Sequence, residues 1–447
     1  MVFESMKKAL VAAAERKGLK EYEIYYQMEE SVSAETLRDE ISAFASSVGG
    51  GICFRCIVDG KMGYASGELM TEDAMEELVD RAVSNACAID SEDEVFIFGG
   101  SPSYESIEAR RVELADAATV RDTALKLQRA TYGEDPRVGD GTQSVALSMT
   151  EEIRLYNSNG LELSNRVGMS GAYVMPVVRD GNEAQENFEF GEGMQYEQLQ
   201  ALPPKAVKGA VSKLGATLVE SGKYDVVFDG AQFRSFLSTF SPIFSAKNAQ
   251  LGLSLLAGKE GETVAAPCVT LVDDPMRSGS CMQTPFDGEG VATARRNVIE
   301  KGVLNTLLYD LTTAKKAGVA STGNGQKGSY ASPVAIAPYN LSLAVGEDDT
   351  DALMAAVSNG VYITECKGFH AGANAVTGDF SIECAGFMIR DGKKAEPIKS
   401  FTVAGNFFDL LKQIDRLGNE IRWGVPHGFT VFGSPDVLVR GVSVAGK

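Results

Sequence analysis

Val145-Ala-Leu-Ser-Met149 places large apolar side chains at every second position, and two hairpin signals follow it, Asn159-Gly160 and Asp180-Gly181. A period of two belongs to a strand, because successive side chains leave opposite faces, and Asn-Gly or Asp-Gly supplies the left-handed residues of a tight hairpin. The stretch therefore reads as an antiparallel meander. A helix is expected before it, from about Asp116 to Tyr132, and Pro203-Pro204 opens another to about Leu218. Together these make a central α+β domain over residues 109–222.

Towards the N-terminus, a helical pattern from Phe3 to Lys17 stops at Gly18, strand-like runs follow at Tyr22–Met28 and Ile52–Val58, and Asp59-Gly60 marks a turn. Thr71-Glu72-Asp73 caps a helix to about Cys87 whose Met75, Leu78, Ala82 and Val83 share a face. This is a second α+β domain, residues 1–98, with Gly99–Glu108 as linker. Towards the C-terminus, strands are expected at Val226–Phe228, Val269–Val272, Val303–Tyr309, Val361–Cys366, Phe380–Arg390 and Val437–Val444. Helices are expected at Gln232–Phe244, Thr350–Asn359 before Gly360, and Phe407–Leu417 before Gly418. Strands outnumber helices, so residues 223–447 are read as a mainly antiparallel β domain, barrel or sandwich-like. The fold class is α+β, with antiparallel sheet in the N-terminal domains and a mainly antiparallel C-terminal domain.

A chain of 447 residues is long enough for two or three such units. Forty-two Lys and Arg against 61 Asp and Glu give a net charge of −19, which repels phosphate backbones and argues against direct nucleic-acid binding. The longest uncharged stretch, Gly328 to Gly346, contains Pro333, Pro338 and Asn340, so no membrane span is expected. The apolar run Ala9–Ala14 is too short for a secretion segment, and Glu15-Arg16-Lys17 follows at once; a cytoplasmic location is expected. The seven cysteines are scattered and form no disulfide framework.

The candidate chemistry is sparse. Gly323-Asn-Gly-Gln-Lys-Gly328 fits the spacing of a dinucleotide loop but follows a helix-like segment and runs into Pro333, so a flexible surface loop is expected. Cys53 and Cys56 lie three apart in a strand and point to opposite faces, which makes them buried thiols rather than zinc ligands. Only two histidines exist, and His370, in Gly368-Phe-His-Ala-Gly372, sits in the more functional-looking setting. Asp287 and Glu289 in Thr284-Pro-Phe-Asp-Gly-Glu-Gly290 share one side of an extended segment. They could act as acid and base, hold a hard cation, or pair with Arg295 and Arg296; the last is favoured. Asp379 and Glu383 form a weaker pair of the same kind.

Thr284-Pro-Phe-Asp-Gly-Glu-Gly-Val291, Arg295-Arg296-Asn-Val-Ile-Glu-Lys-Gly302, Ser321-Thr-Gly323, Ala375-Val-Thr-Gly-Asp379, Ala385-Gly-Phe387 and Thr402-Val-Ala-Gly-Asn406 occur in series. This series resembles the TldD/PmbA family, the so-called modulators of DNA gyrase classed with metallopeptidases, and the sequence is similar to its PmbA (TldE) kind. In the TldD kind a helix carries HExxxH, whose histidines and a later cysteine hold the metal. The matching positions here are Ser238-Thr239-Phe240-Ser241-Pro242-Ile243, so Ser238, Thr239 and Ile243 stand where the histidines and glutamate would, and no cysteine follows Cys384. The resemblance implies a peptidase subunit with no catalytic residue, metal or cofactor of its own, pairing as a dimer with itself or with a TldD-like partner that brings zinc. Asp287, Glu289, His370 and Asp379 are the candidate residues for a peptide-binding surface. The alternatives are a non-enzymatic homodimeric scaffold, and a self-sufficient peptidase with a carboxylate-bound metal at Asp287 and Glu289.

Overall fold

The computed structural model describes residues 2–90, 94–107 and 113–447. The end of the expected linker at Glu108 and the start of the expected central domain at residue 109 lie outside the described residues. The first half of the chain comprises α1 (Val2–Arg16), β1 (Tyr22–Leu37), β2 (Glu40–Val58), β3 (Lys61–Gly67), α2 (Glu72–Ala88), α3 (Ala117–Glu134), β4 (Gln143–Asn157) and β5 (Glu162–Met175). One six-stranded sheet orders them β3-β2-β1-β4-β5 and ends on the short strand Glu189–Glu192. β1 pairs antiparallel with β4 from Glu23↔Asn157 to Glu35↔Val145, so the units read at 1–98 and 109–222 are joined by a single sheet.

The alternation at 145–149 does form a strand, but its inward face is the small one. Ser144, Ala146, Ser148 and Thr150 are buried, while Leu147 and Met149 are only half-buried. The reason is the close seat of α3, whose Val120, Ala124 and Leu127 pack against Ala146, Ala172 and Val174. Small residues let a helix approach a sheet, and the hydroxyls find partners there: Ser144 donates to Gln128 Oε1, and Ser148 accepts the Ala115 N–H. Near the other end of the sheet, Ile24, Ile52, Phe54 and Cys56 lie under α1 and α2. Tyr25 and Cys53 leave from the opposite face and meet Met282, Phe286, Tyr339 and Phe429 of the C-terminal half. The two cysteines diverge as strand geometry requires.

The C-terminal domain is built on a closed five-stranded barrel. Its strands are Gly222–Phe228, Asn359–Lys367, Asp379–Arg390, Lys393–Asn406 and Val437–Ala445, with closure through Thr402↔Ala445. Gly222–Phe228 runs parallel to Asn359–Lys367, and the remaining pairs are antiparallel. The helix Gly230–Phe240 packs on the barrel strands: Phe233, Phe236 and Phe240 are fully buried and meet Phe228, Phe380 and Phe407 at ring distances of 4.5–6.4 Å. Burying each such ring contributes about 2–3 kcal/mol, which anchors this helix firmly. It stops at Phe240, and Ser241–Phe244 continues as a 3₁₀ turn, because Pro242 has no N–H to extend the α-helical ladder.

Other boundaries move for tertiary reasons. The helices expected at Thr350–Asn359 and Phe407–Leu417 end at Ala355 and Lys412. Gly360 is not a cap but a barrel residue pressed against Asp225, and Ile414–Leu417 pairs with the last barrel strand. The strand expected at Val303–Tyr309 covers only Val303–Leu304, and the helix opened by the proline pair ends at Ser212. Gly323–Gly328 is no flexible surface loop: residues 322–325 are buried, and Gly325–Lys327 is a strand.

Candidate functional site

Thr284–Gly290 is wedged between the first sheet and the C-terminal domain. Its backbone makes the turn around the Asp287 carboxylate, which accepts the N–H groups of Glu289 and Val291 at 2.9 Å each and of Gly325 at 3.0 Å. Glycine at 325 lets both carboxylates approach this backbone, since a Cβ there would lie 2.7 Å from Glu289 Oε2 and 3.2 Å from Asp287 Oδ2. Gly290 adopts a left-handed φ of 84° and presses on Leu155 of β4 and Leu161 of the β4–β5 turn, and its carbonyl accepts the Tyr104 hydroxyl. Both carboxylates are nearly sealed, Asp287 being 2% and Glu289 6% exposed.

Burial, then the neighbouring Glu289, raises the Asp287 pKa; burial also pushes Glu289 up to about 7, opposed by the Leu311 N–H and the positive charge of Arg55. Arg295 and Arg296 do not pair with either acid. Arg295 lies near Asp274, and Arg296 donates to the Thr322 carbonyl. The cations beside these carboxylates are instead Arg55, held to Glu23 at 2.7 Å, and Lys327 over the Tyr25 ring. Charged residues inside the apolar runs Tyr22–Met28 and Ile52–Val58 were the sequence signal for Glu23 and Arg55, since a strand buries a charge only when something faces it. Glu289 reaches the wall of a pocket of about 490 Å³, whereas Asp287 borders only a void of about 20 Å³.

His370 and Asp379 belong elsewhere. Both are exposed; His370 sits on the short helix Phe369–Gly372, and Asp379 accepts Asn406 Nδ2 at 2.9 Å at the head of a barrel strand. The structure thus brings Asp287 and Glu289 together and leaves the other two apart from them. The positions matched to HExxxH fall across a helix break. Ser238 is exposed, the Thr239 hydroxyl is committed to the Ser235 carbonyl at 2.8 Å, and Ile243 is buried in the barrel core.

A cavity of about 650 Å³ opens at the N-terminal end of this same helix. Asp229 caps the helix through the Ala231 N–H and binds Arg422 at 2.8 Å, and Asp436 takes the Gly230 N–H. The cavity runs between Phe188–Phe190 of the first half and Thr364–Lys367 and Ile421–Trp423 of the second. Glu189–Glu192 and Arg422–Trp423 are each the last strand of their sheet.

Three family models match the chain. They are the PmbA/TldA metallopeptidase domain 1 over residues 22–86, its central domain over 110–214 and its C-terminal domain over 221–446. The chain belongs to the PmbA/TldD family. A metalloprotease of Methanothermobacter thermautotrophicus is 30% identical over 69% of this PmbA/TldD chain and 71% of its own. The metalloprotease PmbA homolog of Haemophilus influenzae is 27% identical over 80% of each. Among solved structures, a Thermotoga maritima protein named for modulation of a DNA gyrase superposes with a TM-score of 0.88 at 30% identity, covering 99% of this chain and 100% of that one. TldE of Thermococcus kodakarensis shares the fold with a TM-score of 0.89 at 22% identity over 99% and 100% of the two chains.

Proposed function

We propose that this chain is the PmbA/TldE-like subunit of a TldD/PmbA-type metallopeptidase, working in the cytoplasm with a TldD-like partner or a second copy of itself. Its own part is to form a cavity that grips peptide. The observation that carries the reading is the state of residues 238–243. A hydrolytic zinc takes three protein N, O or S ligands and leaves one position open for water. An exposed serine, a threonine bonded to its own helix and a core isoleucine do not fit that group. Zinc is therefore assigned to the partner.

The cavity of about 650 Å³ suits an extended peptide, because two sheets end on it and each end strand offers backbone groups for strand addition. Such binding selects main chain over sequence. A carboxylate-bound metal at Asp287 and Glu289 finds less support, since the Asp287 oxygens already take three backbone N–H groups. The test is cleavage of an unstructured peptide by the pure chain, by a TldD-like partner, and by the mixture. Turnover is expected to need the partner and to rise on adding this chain. Metal-dependent turnover by this chain alone overturns the assignment, and no gain in the mixture turns it to a scaffold.

A further inference from the structure

The pocket beside Glu289 has walls from both halves of the molecule, with Arg55 from β2, Lys247 and Leu251 beyond the barrel helix, and Lys327 and Val334 from the segment that closes on Asp287. At about 490 Å³ it falls within the range of small-molecule sites. Its charges do not balance locally. Among the described residues, Lys327 Nζ has no hydrogen-bond or ion-pair partner and rests only 4.9 Å from the Tyr25 ring centroid. Arg55 spends one nitrogen on Glu23, and its buried Nε has no partner. The acids on the same wall are otherwise engaged: Asp310 caps the helix Leu311–Ala317, and Glu289 takes the Leu311 N–H.

A largely buried cation without a direct ion-pair partner is expensive, and here burial lowers the Lys327 pKa despite the nearby Glu23 and Glu289. An arriving anion repays this by supplying the missing partner in a site already shaped for it. We propose that this pocket binds a small organic carboxylate, its anion held between Lys327 and Arg55 and its hydrocarbon part against Leu251 and Val334. A carboxylate is favoured over phosphate because a dianion would face Glu289 and Asp310 across the same pocket, whereas one negative charge balances one free lysine. This site is independent of the peptidase reading.

Calorimetric titration of the full chain with hexanoate, its neutral counterpart hexanamide, and inorganic phosphate tests the assignment. Hexanoate is expected to bind with one site per chain and at least tenfold more tightly than the other two. Lys327→Met should lose at least tenfold in hexanoate affinity while keeping the circular dichroism spectrum of the parent. Should that variant misfold, Leu251→Asp, on the exposed part of the wall that takes the hydrocarbon, should lose several-fold. Absence of hexanoate binding, equal binding of hexanamide, tighter binding of phosphate, or unchanged hexanoate affinity in a folded Lys327→Met or Leu251→Asp each overturns the proposal.

Discussion

Glu289 shows most plainly how position sets chemistry. Its neighbours include a buried aspartate, the Asp310 and Glu23 carboxylates, Arg55 and Lys327, and burial outweighs the cations to push its carboxyl up to about 7. The folded state thus holds this proton more tightly than the unfolded chain, whose glutamate titrates near 4.5. By linkage, its stabilising contribution is complete below about pH 4.5 and is lost as pH rises through about 7. Glu289→Gln should remove a decline on the order of 3 kcal/mol between pH 4.5 and pH 8. Denaturant melts of parent and variant across that range check it, and parallel curves would contradict the placement. Asp287 and Glu23, both raised by burial, together with Glu151, about 7, and Asp273, about 6, titrate in the same sense and keep a residual slope in the variant. The sequence marked Asp287 and Glu289 as a pair but assigned them the wrong cations. Spacing along a strand shows which side two residues share, not which distant strand faces them.

The helix Gly230–Phe240 is the element on which the functional reading turns. Its apolar face was legible, because Phe233, Phe236, Leu237 and Phe240 recur at helical spacing. It was expected to run to Phe244 but stops at Phe240, where Pro242 cannot extend the ladder. Its head was not anticipated at all: Asp229 joins an N-cap to an ion pair with Arg422, a residue 193 positions away. Asp229→Ala should lose about 1 kcal/mol for the cap and more for the half-buried Arg422 charge, left with Asp436 at 3.6 Å in place of its closer partner. Asp229→Asn keeps the cap and should cost less than the alanine variant. Thermal melts rank the two, and equal losses would show that the ion pair alone matters. The helices that proved shorter, after Thr350 and Phe407, err for a shared reason. Residues with helical periodicity are recruited by a barrel edge once it is present, and a strand ladder outweighs propensity.

Across the whole molecule, the units at 1–98 and 109–222 are covalently sequential but share one sheet. β1 loses its whole β4 ladder if the chain is cut between them. A fragment of residues 1–98 should therefore be unfolded by circular dichroism and amide exchange, while residues 1–222 should give a cooperative transition; a folded 1–98 would contradict this. Composition and local pattern by themselves determined the α+β class, the antiparallel meander, the barrel or sandwich character of the C-terminal half, the opposed Cys53 and Cys56 side chains, and the six motifs in series. These follow from periodicities of two and 3.6, which are properties of neighbouring residues. Only the tertiary structure decided that Ser144 and Ala146 face inward in place of Leu147, that Gly323–Gly325 is buried, and that Arg55 and Lys327 stand beside Glu289. Each of those depends on which surface a distant segment covers, and a close-packed interior selects side chains by the space left there, information that no local window of sequence contains.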